Sequence, residues 1–297
     1  MRQLGYDLNT FPDWRTSAIT RFTLHTTPDG AIPKLIVDDD PSTIQYHTVT
    51  SFRHRFNGIH TLPSIDDSNI QHVQWLGSFR YVSLVDLESG RYVRKSIDPE
   101  RPETLKGWEN EYLNLTHLQA SPYIVDLVGT RNPYSPAGED VVTAFLIEYG
   151  QRGTLKQLTT NVGTSSLSRW MLQVAKGLRD MHQVGIIYGH LKLENVVVTE
   201  SDQAKIIDLA QSGYTAPYYA PEFPELFESK TQWQPCIDIY SFGVVYWRLL
   251  PGTAENLPQP HDNQPSPLIN LIAQCVSTNP LERPSVQNVI DFLEHDT

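Results

Sequence analysis

A cation and an amide stand three residues apart in the middle of an aliphatic run. Lys192 and Asn195 lie in the stretch 186–198 (IIYGHLKLENVVV), which follows an amphipathic segment and precedes an apolar run that ends at Asp208. The flanking β-branched residues predict a tight loop between two buried strands, presenting both side chains to one site. A Lys-x-x-Asn spacing alone is more often a polar turn, so its meaning depends on the rest of the chain.

A second lysine lies on the apolar face of a predicted strand. On the strand predicted over 91–97, Lys95 points the same way as its apolar neighbours, because alternate residues of a strand share a face. A lysine in that position needs a partner to offset its lost hydration. The helix predicted over 105–119 offers carboxylates for this role. Glu109 and Glu111 both precede its leucine positions, and Glu109 is expected to lie on a solvated acidic face.

Length and composition limit the class of protein. The 297 residues, 39% hydrophobic and 19% charged, suffice for two modest domains or one bilobal domain. A net charge of −11 argues against nucleic acid and acidic membrane surfaces as partners. The N-terminus does not resemble a secretory signal, and no stretch approaches the roughly 20 apolar residues of a membrane helix. The two cysteines, Cys236 and Cys275, are expected to be free buried thiols. These features predict a soluble cytoplasmic protein, with a nuclear location also open.

The order of predicted elements changes from strands to helices along the chain. Strands are predicted over 73–76, 81–86, 91–97, 123–129 and 141–149, and helices over 105–119, 154–159, 167–183, 237–250, 267–275 and 285–295. Alternating segments at 17–26 and 43–50 and an apolar run at 32–37 predict a β-rich extension over residues 1–70. A glycine-bounded linker at 150–153 then separates a β lobe, residues 71–149, from a helical lobe, residues 150–297. This order predicts an α+β fold of two lobes with a cleft at the linker.

These elements, in this order, resemble the protein kinase superfamily over residues 71–293. The resemblance implies a bilobal fold with a small antiparallel β lobe, which carries one helix, and a larger, mainly helical lobe. It also implies that the cleft binds ATP and Mg²⁺. Lys95 matches the strand lysine that holds the α and β phosphates, and Glu111 matches its helix partner. Asn195 and Asp208 match the metal-binding residues.

Further positions match the family's nucleotide cleft. Gly77 and Val82 fall in the segment that corresponds to the glycine-rich loop. Ile147 matches the gatekeeper residue. Glu148 and Tyr149 match the hinge, where the resemblance implies that adenine pairs with backbone groups.

Motifs of the helical lobe are also present. The Ala-Pro-Glu element is intact at 220–222, and Arg283 matches the arginine that pairs with its glutamate. Asp238 opens a segment that resembles the buried helix below the catalytic loop. Thr215 matches a threonine of the serine/threonine branch, although a turn residue is an equally good explanation of it.

The catalytic loop departs from the family pattern. The family reads His-Arg-Asp-Leu-Lys-Pro-Glu-Asn where this chain reads YGHLKLEN over 188–195. His190 replaces the aspartate that accepts the proton of the substrate hydroxyl, while the catalytic lysine is kept as Lys192. Gly189 replaces the arginine that receives an activation-loop phosphate, so control through that arginine is not expected.

The phosphate-binding segments depart from the pattern as well. Gly77 is the one glycine kept of the three in the glycine-rich loop, and Trp75 and Arg80 occupy two of the glycine positions. Asp-Phe-Gly has become Asp-Leu-Ala from Asp208 onwards. The chain from Asp208 to Glu222 is short for the family, which leaves little of it to support a peptide substrate.

The resulting interpretation is a pseudokinase that keeps ATP and Mg²⁺ binding and acts by binding a protein partner. One alternative is an active, atypical serine/threonine kinase that uses His190 or the substrate itself for proton transfer. Another is a scaffold that binds no nucleotide because Trp75 fills the cleft.

Overall fold

The computed structural model describes residues 22–25, 34–37, 63, 65–76, 81–97, 104–131, 142, 144–159, 163–211, 213–229, 233–253, 256–259 and 266–296. The chain divides into two units, Met1–Ser51 and Phe52–Thr297. In the first unit, strands β1 (Phe22–His25) and β2 (Lys34–Val37) pair antiparallel, within two of the segments predicted as strands. The third predicted strand, over 43–50, lies outside the described residues.

The second unit begins with an antiparallel sheet of five strands in the order β3-β4-β5-β7-β6. The strands are β3 (Gln71–Trp75), β4 (Val82–Leu87), β5 (Gly90–Ser96), β6 (Leu127–Arg131) and β7 (Ala144–Glu148), and helix α1 (Leu105–His117) follows β5. The predicted α+β lobe with one helix is therefore present. The strand predicted over 123–129 begins later, at Leu127, because Ile124 makes only an isolated parallel bridge to Ile206.

Strand register explains why Lys95 faces inward. In the β4–β5 hairpin, Val82 lies directly opposite Lys95, and across β5 and β7 Lys95 lies opposite Phe145. Residues that oppose each other in an antiparallel ladder share one face of the sheet. The side chain of Phe145 is fully buried on that face and packs against Trp108 of α1. Lys95 therefore extends toward α1 rather than toward solvent.

The larger lobe is mainly helical. Its helices are α2 (Leu155–Leu158), α3 (Thr164–Gln183), α4 (Phe223–Ser229), α5 (Cys236–Leu249), α6 (Pro267–Cys275) and α7 (Val286–Asp296), with a small sheet of β8 (Gly153–Thr154), β9 (Val196–Val198) and β10 (Ala204–Ile206). The core side chains of α3, Trp170, Met171, Val174 and Leu178, are fully buried. Each predicted helix is present, and α4 was not predicted. No helix within the described ranges is long and apolar enough to cross a membrane.

The strand predicted before the catalytic loop is absent. Helix α3 ends at Gln183, no regular strand occurs between it and a 3₁₀ turn at Leu193–Asn195, and β9 follows directly. The reason lies in the backbone hydrogen bonds of this segment. The N–H groups of Tyr188 and Gly189 donate to the side chain of Asp238 instead of to a neighbouring strand.

A buried ion pair joins Glu222, the last residue of the Ala-Pro-Glu element, to Arg283 in the C-terminal part of the lobe. Arg283 donates to both carboxylate oxygens of Glu222, at 2.5 and 2.9 Å, and also to the backbone oxygens of Cys236 and Ser277. The Arg283 side chain has no exposed surface. The pairing predicted from the sequence is thus confirmed.

We expect Arg283→Ala to lower the free energy of unfolding by about 3–5 kcal/mol, because it leaves a carboxylate and two carbonyl groups without their buried donor. Urea unfolding followed by circular dichroism would measure the change. Arg91→Ala is the matched control, since Arg91 also pairs with a carboxylate, that of Asp86, but on an exposed surface. Equal losses in the two variants would contradict the role given to burial.

Candidate active site

The sheet and the helix of the β lobe bring a lysine and a glutamate together at the cleft. Lys95 Nζ on β5 lies 2.5 Å from Glu111 Oε1 and 2.7 Å from Oε2 on α1. Burial opposes the charge on this lysine, yet the neighbouring carboxylates of Glu111 and Asp208 outweigh it and raise the pKa of Lys95. The ion pair that the sequence predicted is present, and it fixes a cation at the inner face of the sheet.

Asp208 stands between this pair and the catalytic loop. It follows β10 with a positive φ of 60°, an uncommon backbone conformation outside glycine. Its Oδ1 lies 3.6 Å from Lys95 Nζ, and its Oδ2 lies 3.8 Å from His190 Nε2. Burial would raise the pKa of Asp208, but the neighbouring cationic groups, Lys95 foremost, hold it below its usual value. The carboxylate is therefore ionised at neutral pH.

His190 is oriented by a backbone carbonyl. Its Nδ1 lies 2.7 Å from the oxygen of Gly213, and a carbonyl can only accept, so Nδ1 carries the proton. In the neutral ring the lone pair is then on Nε2, the atom that faces Asp208. The side chain is 13% exposed. The ring therefore presents an electron-pair donor to the cleft.

The 3₁₀ turn brings Lys192 and Asn195 into the same site. The backbone N–H of Asn195 donates to the oxygen of Lys192, and its side-chain amide donates to the oxygen of His190, both at 3.0 Å. Asn195 is buried and Lys192 is half-buried. The charge of Lys192 also contributes to the low pKa of Asp208. One turn thus holds three of the predicted site residues together.

A buried aspartate supports this loop from below. Asp238 Oδ2 accepts from the N–H of Tyr188 at 2.9 Å and from His182 Nε2 at 2.8 Å, and its Oδ1 accepts from the N–H of Gly189 at 2.7 Å. The Tyr188 hydroxyl donates to the oxygen of Ile207, 2.6 Å away, beside Asp208. The catalytic loop is therefore tied both to α5 and to the segment that carries Asp208.

Gly189 lies against a cluster of aromatic rings that the sequence analysis missed. Its φ is 67°, and a Cβ atom there would stand 2.9 Å from ring atoms of both Phe223 and Trp233. The rings of Tyr214 and Phe227 pack edge-on against Phe223 as well. The high density of aromatic residues between positions 214 and 233 could have predicted this cluster. The space beside this position of the loop, where the family has an arginine, is filled by aromatic rings.

The hinge residue Glu148 uses its side chain within the protein. The Glu148 carboxylate lies 2.6 Å from Lys205 Nζ, and the same Nζ donates to the Asp126 carboxylate at 2.9 Å. The backbone N–H of Glu148 donates to the backbone oxygen of Asp126. Although burial disfavours the charge on Lys205, these two carboxylates raise its pKa. Lys205 was not among the predicted site residues. Tyr149, the next predicted cofactor residue, is half-buried.

Three further expectations have clear outcomes. Glu109, expected on a solvated face, is only 5% exposed, so that prediction was wrong. Trp75 is 42% exposed, and its ring centroid lies 4.5 Å from that of His72, so it is not packed inside a cleft. Gly77 and Arg80 lie outside the described residues. Val82 lies on the same face as Lys95, as its register requires.

Comparison with known protein families matches residues 77–293 to the protein kinase domain. The chain belongs to the protein kinase family. Among known proteins it is similar to the mitogen-activated protein kinase kinase kinase dlk-1 of Caenorhabditis briggsae, with 25% identity over 257 residues, 74% of this chain and 28% of that protein. It is also similar to the dual serine/threonine and tyrosine protein kinase of Xenopus laevis, with 29% identity over 196 residues, 62% of this chain and 21% of that protein. The chain thus spans less than a third of the length of these relatives.

The donor set of the site fits a divalent cation and a nucleotide. The family implies both ligands, and Asp208 offers an ionised carboxylate while Asn195 offers an amide, the kind of oxygen ligands that Mg²⁺ takes. Lys95 and Lys192 supply positive charge for phosphate groups. Among the described residues no group of three or more His, Cys, Asp or Glu side chains could hold a metal by itself. A bound ion would therefore need phosphate or water ligands as well.

We expect Gly189→Ala to destabilise the protein more than Gly185→Ala. Both glycines have positive φ, 67° and 79°, so each alanine adds about 1–2 kcal/mol of backbone strain. A Cβ at Gly185 meets nothing within 4 Å, whereas one at Gly189 meets Phe223 and Trp233, which adds about 1–3 kcal/mol. Urea unfolding of the two variants measures the difference. Equal losses of unfolding free energy in the two variants would mean that the aromatic rings can move aside without destabilising the protein.

Proposed function

We propose that this chain is a protein kinase domain that binds ATP with a divalent cation but transfers phosphate poorly, and that it acts as a pseudokinase through a protein partner. The observation that carries the proposal is an assembled set of charges, Lys95 with Glu111 and Asp208, next to a histidine in the place of the family's proton-accepting aspartate. The residues that match the family's nucleotide-binding residues are kept, and the proton-accepting aspartate is replaced by a histidine.

Nucleotide binding is supported by the state of the cleft charges. Lys95 is paired at 2.5 Å with Glu111, so it is held in place before any ligand arrives. Phosphoryl-transfer proteins work mainly by positioning and by neutralising phosphate charge. Lys95 and Lys192 would hold phosphate oxygens, while Asn195 and Asp208 would hold the cation. When bound, that cation supplies charge neutralisation between the phosphates.

Impaired transfer is supported by the chemistry of His190. A neutral imidazole lacks the negative charge and compact reach of a carboxylate, and a protonated one cannot accept a proton. General-base assistance is typically worth about 10²–10⁴-fold in rate. Its loss would slow transfer strongly while leaving binding intact. Slow phosphate transfer combined with retained nucleotide binding favours a function that depends on binding a protein partner.

The orientation of the His190 ring supports a second candidate function, that of an active atypical serine/threonine kinase. The bond from His190 Nδ1 to Gly213 leaves Nε2 as the acceptor atom, which is the arrangement a histidine base needs. Thr215 lines the same small cleft as His190 and Lys192. The two relatives described above are both kinases, which is consistent with this candidate. The third candidate, a scaffold whose cleft is filled by Trp75, is disfavoured by the 42% exposure of that residue.

ATP with MgCl₂ should raise the thermal midpoint of the wild-type chain. At a hundredfold excess of ligand over its Kd, the stabilisation is about 2.7 kcal/mol, which corresponds to roughly 5 °C or more for a protein of this size. Lys95→Ala should abolish this shift, because it removes the cation that meets the phosphates. Differential scanning fluorimetry, with each variant compared with its own ligand-free midpoint, measures both.

Lys106→Ala is the control for that experiment, since Lys106 is an exposed lysine of α1 and should leave the nucleotide shift unchanged. A wild-type chain that shows no shift with ATP, with or without MgCl₂, would rule out both the pseudokinase and the active-kinase proposals. The nucleotide-free scaffold would then remain.

His190→Asp should increase phosphate transfer if the missing carboxylate is the main defect. We expect a rise of about 10²-fold or more in ³²P incorporation into a generic protein substrate, with the nucleotide-induced thermal shift retained. Asp208→Ala in the same background should remove the gain. Wild-type transfer that equals that of His190→Asp, and that is lost in Lys95→Ala, would favour the active kinase instead.

A further inference from the structure

We propose that His190 is a metal ligand, and that its Nε2 and the carboxylate of Asp208 together bind Mn²⁺, Co²⁺ or Zn²⁺ in preference to Mg²⁺. The proposal rests on the proposed function for the remaining ligands, which would be nucleotide phosphates and water. It assigns to the histidine a role that differs from that of the aspartate it replaces. The substitution would then change the metal preference of the site and not only remove a base.

The first support is the hydrogen bond on the far side of the ring. Histidines that bind metals commonly donate their other ring N–H to a backbone carbonyl or carboxylate, which fixes the tautomer and the ring orientation. His190 has this arrangement, since Nδ1 donates to the oxygen of Gly213 at 2.7 Å. The nitrogen left for a ligand is Nε2, and it is the one that faces Asp208.

The second support is the distance between the two candidate ligand atoms. His190 Nε2 and Asp208 Oδ2 are 3.8 Å apart, which is too far for a hydrogen bond between them. Bonds from a transition-metal ion to imidazole nitrogen and to carboxylate oxygen are each about 2.0–2.2 Å long. One ion can therefore span two atoms separated by up to about 4 Å. Two ligand atoms in adjacent positions of such an ion lie about 3.0–3.4 Å apart, so the observed 3.8 Å would need to close by about half an ångström on binding.

The third support is the way the neighbours of both side chains hold them in place. The carbonyl of His190 accepts from the buried amide of Asn195, and Ile207, next to Asp208, donates its N–H to the backbone oxygen of the same asparagine at 3.0 Å. Lys95 faces the other oxygen of Asp208, at 3.6 Å, and makes its shorter contacts with Glu111. Oδ2 is thus turned toward the histidine and away from the lysine.

The metal preference follows from the donor types. Imidazole is a good ligand for Zn²⁺, Co²⁺ and similar ions, whereas Mg²⁺ favours a shell of oxygen atoms in a regular octahedron. An imidazole in the shell should therefore weaken Mg²⁺ relative to transition-metal ions. Because two protein side chains alone form an incomplete shell, the ion should bind more tightly with nucleotide than without it.

The test compares the full wild-type chain with His190→Ala, His190→Asp and, as a control, His295→Gln. His295 is an exposed histidine at the end of α7 and reports on adventitious metal binding. Titrations of CoCl₂ and MgCl₂, each with and without the non-hydrolysable analogue AMP-PNP, would be followed by calorimetry. Circular dichroism without metal would confirm that each variant is folded.

We expect Co²⁺ to bind the wild type and the His295→Gln variant alike, and His190→Ala at least about tenfold more weakly. His190→Asp should shift the preference back toward Mg²⁺, because it restores an oxygen ligand. With Mn²⁺ in place of Co²⁺, electron spin echo measurements should detect a directly bound imidazole nitrogen in the wild type and not in His190→Ala.

Two results would overturn the proposal, and they are distinct from failure of nucleotide binding. The first is that AMP-PNP binds equally well with Mg²⁺ and with Co²⁺, in the wild type and in His190→Ala alike. That result would leave the proposed function standing. The second is the absence of an imidazole signal from bound Mn²⁺. If AMP-PNP does not bind with any ion, the proposed function fails. The CoCl₂ titration without nucleotide then decides the metal question by its dependence on His190.

Discussion

The buried carboxylate of Asp238 is the constraint on which the candidate site depends. It accepts the backbone N–H groups of Tyr188 and Gly189 in the catalytic loop and the ring N–H of His182, and its side chain has no exposed surface. Hydrogen bonds to a charged group are about twice as strong as neutral ones, and an unmet buried charge is costly. The loop is therefore held by α5, whose own position is set by its burial in the helical lobe. This attachment fixes the backbone just before His190, and hydrogen bonds of His190 and Asn195 to neighbouring carbonyl groups complete the site.

The sequence predicted site residues correctly where their orientation follows from the regular alternation of side chains along a strand. Alternation along β5 placed Lys95 on the inner face, whereas the choice of Glu111 as its partner came from the resemblance to the kinase family. Glu109 was assigned wrongly for a physical reason. Residues two apart on a helix point in nearly opposite directions, so one of the pair should be solvated if the helix packs on one side only. Helix α1 packs on the sheet through Trp108, and Asn114 donates to the oxygen of Leu209 in the other lobe, so its carboxylates are enclosed from more than one side.

The strand predicted before the catalytic loop shows a different limit. Aliphatic residues at 186–187 are typical of a buried strand, and these residues are largely buried. What decides the conformation is the partner of the backbone N–H groups, and that partner is a side chain about fifty residues further along the chain. Local pattern cannot identify so distant an acceptor. The same holds for the aromatic rings beside Gly189, because Phe223 and Trp233 are distant from it in the chain and meet it only in the folded structure.

The contacts of Lys205 have a mechanical consequence for the molecule. This lysine on β10 is clamped by Asp126 and Glu148, which belong to the sheet side of the cleft. Because rotation of one lobe against the other would separate these charges, we expect the two ion pairs to oppose it. Substitution of Lys205 or Asp126 would remove this restraint, and neither residue is among the predicted ligand-binding residues. Natural variants at these sites should therefore be interpreted as changes in the opening of the cleft rather than in its chemistry.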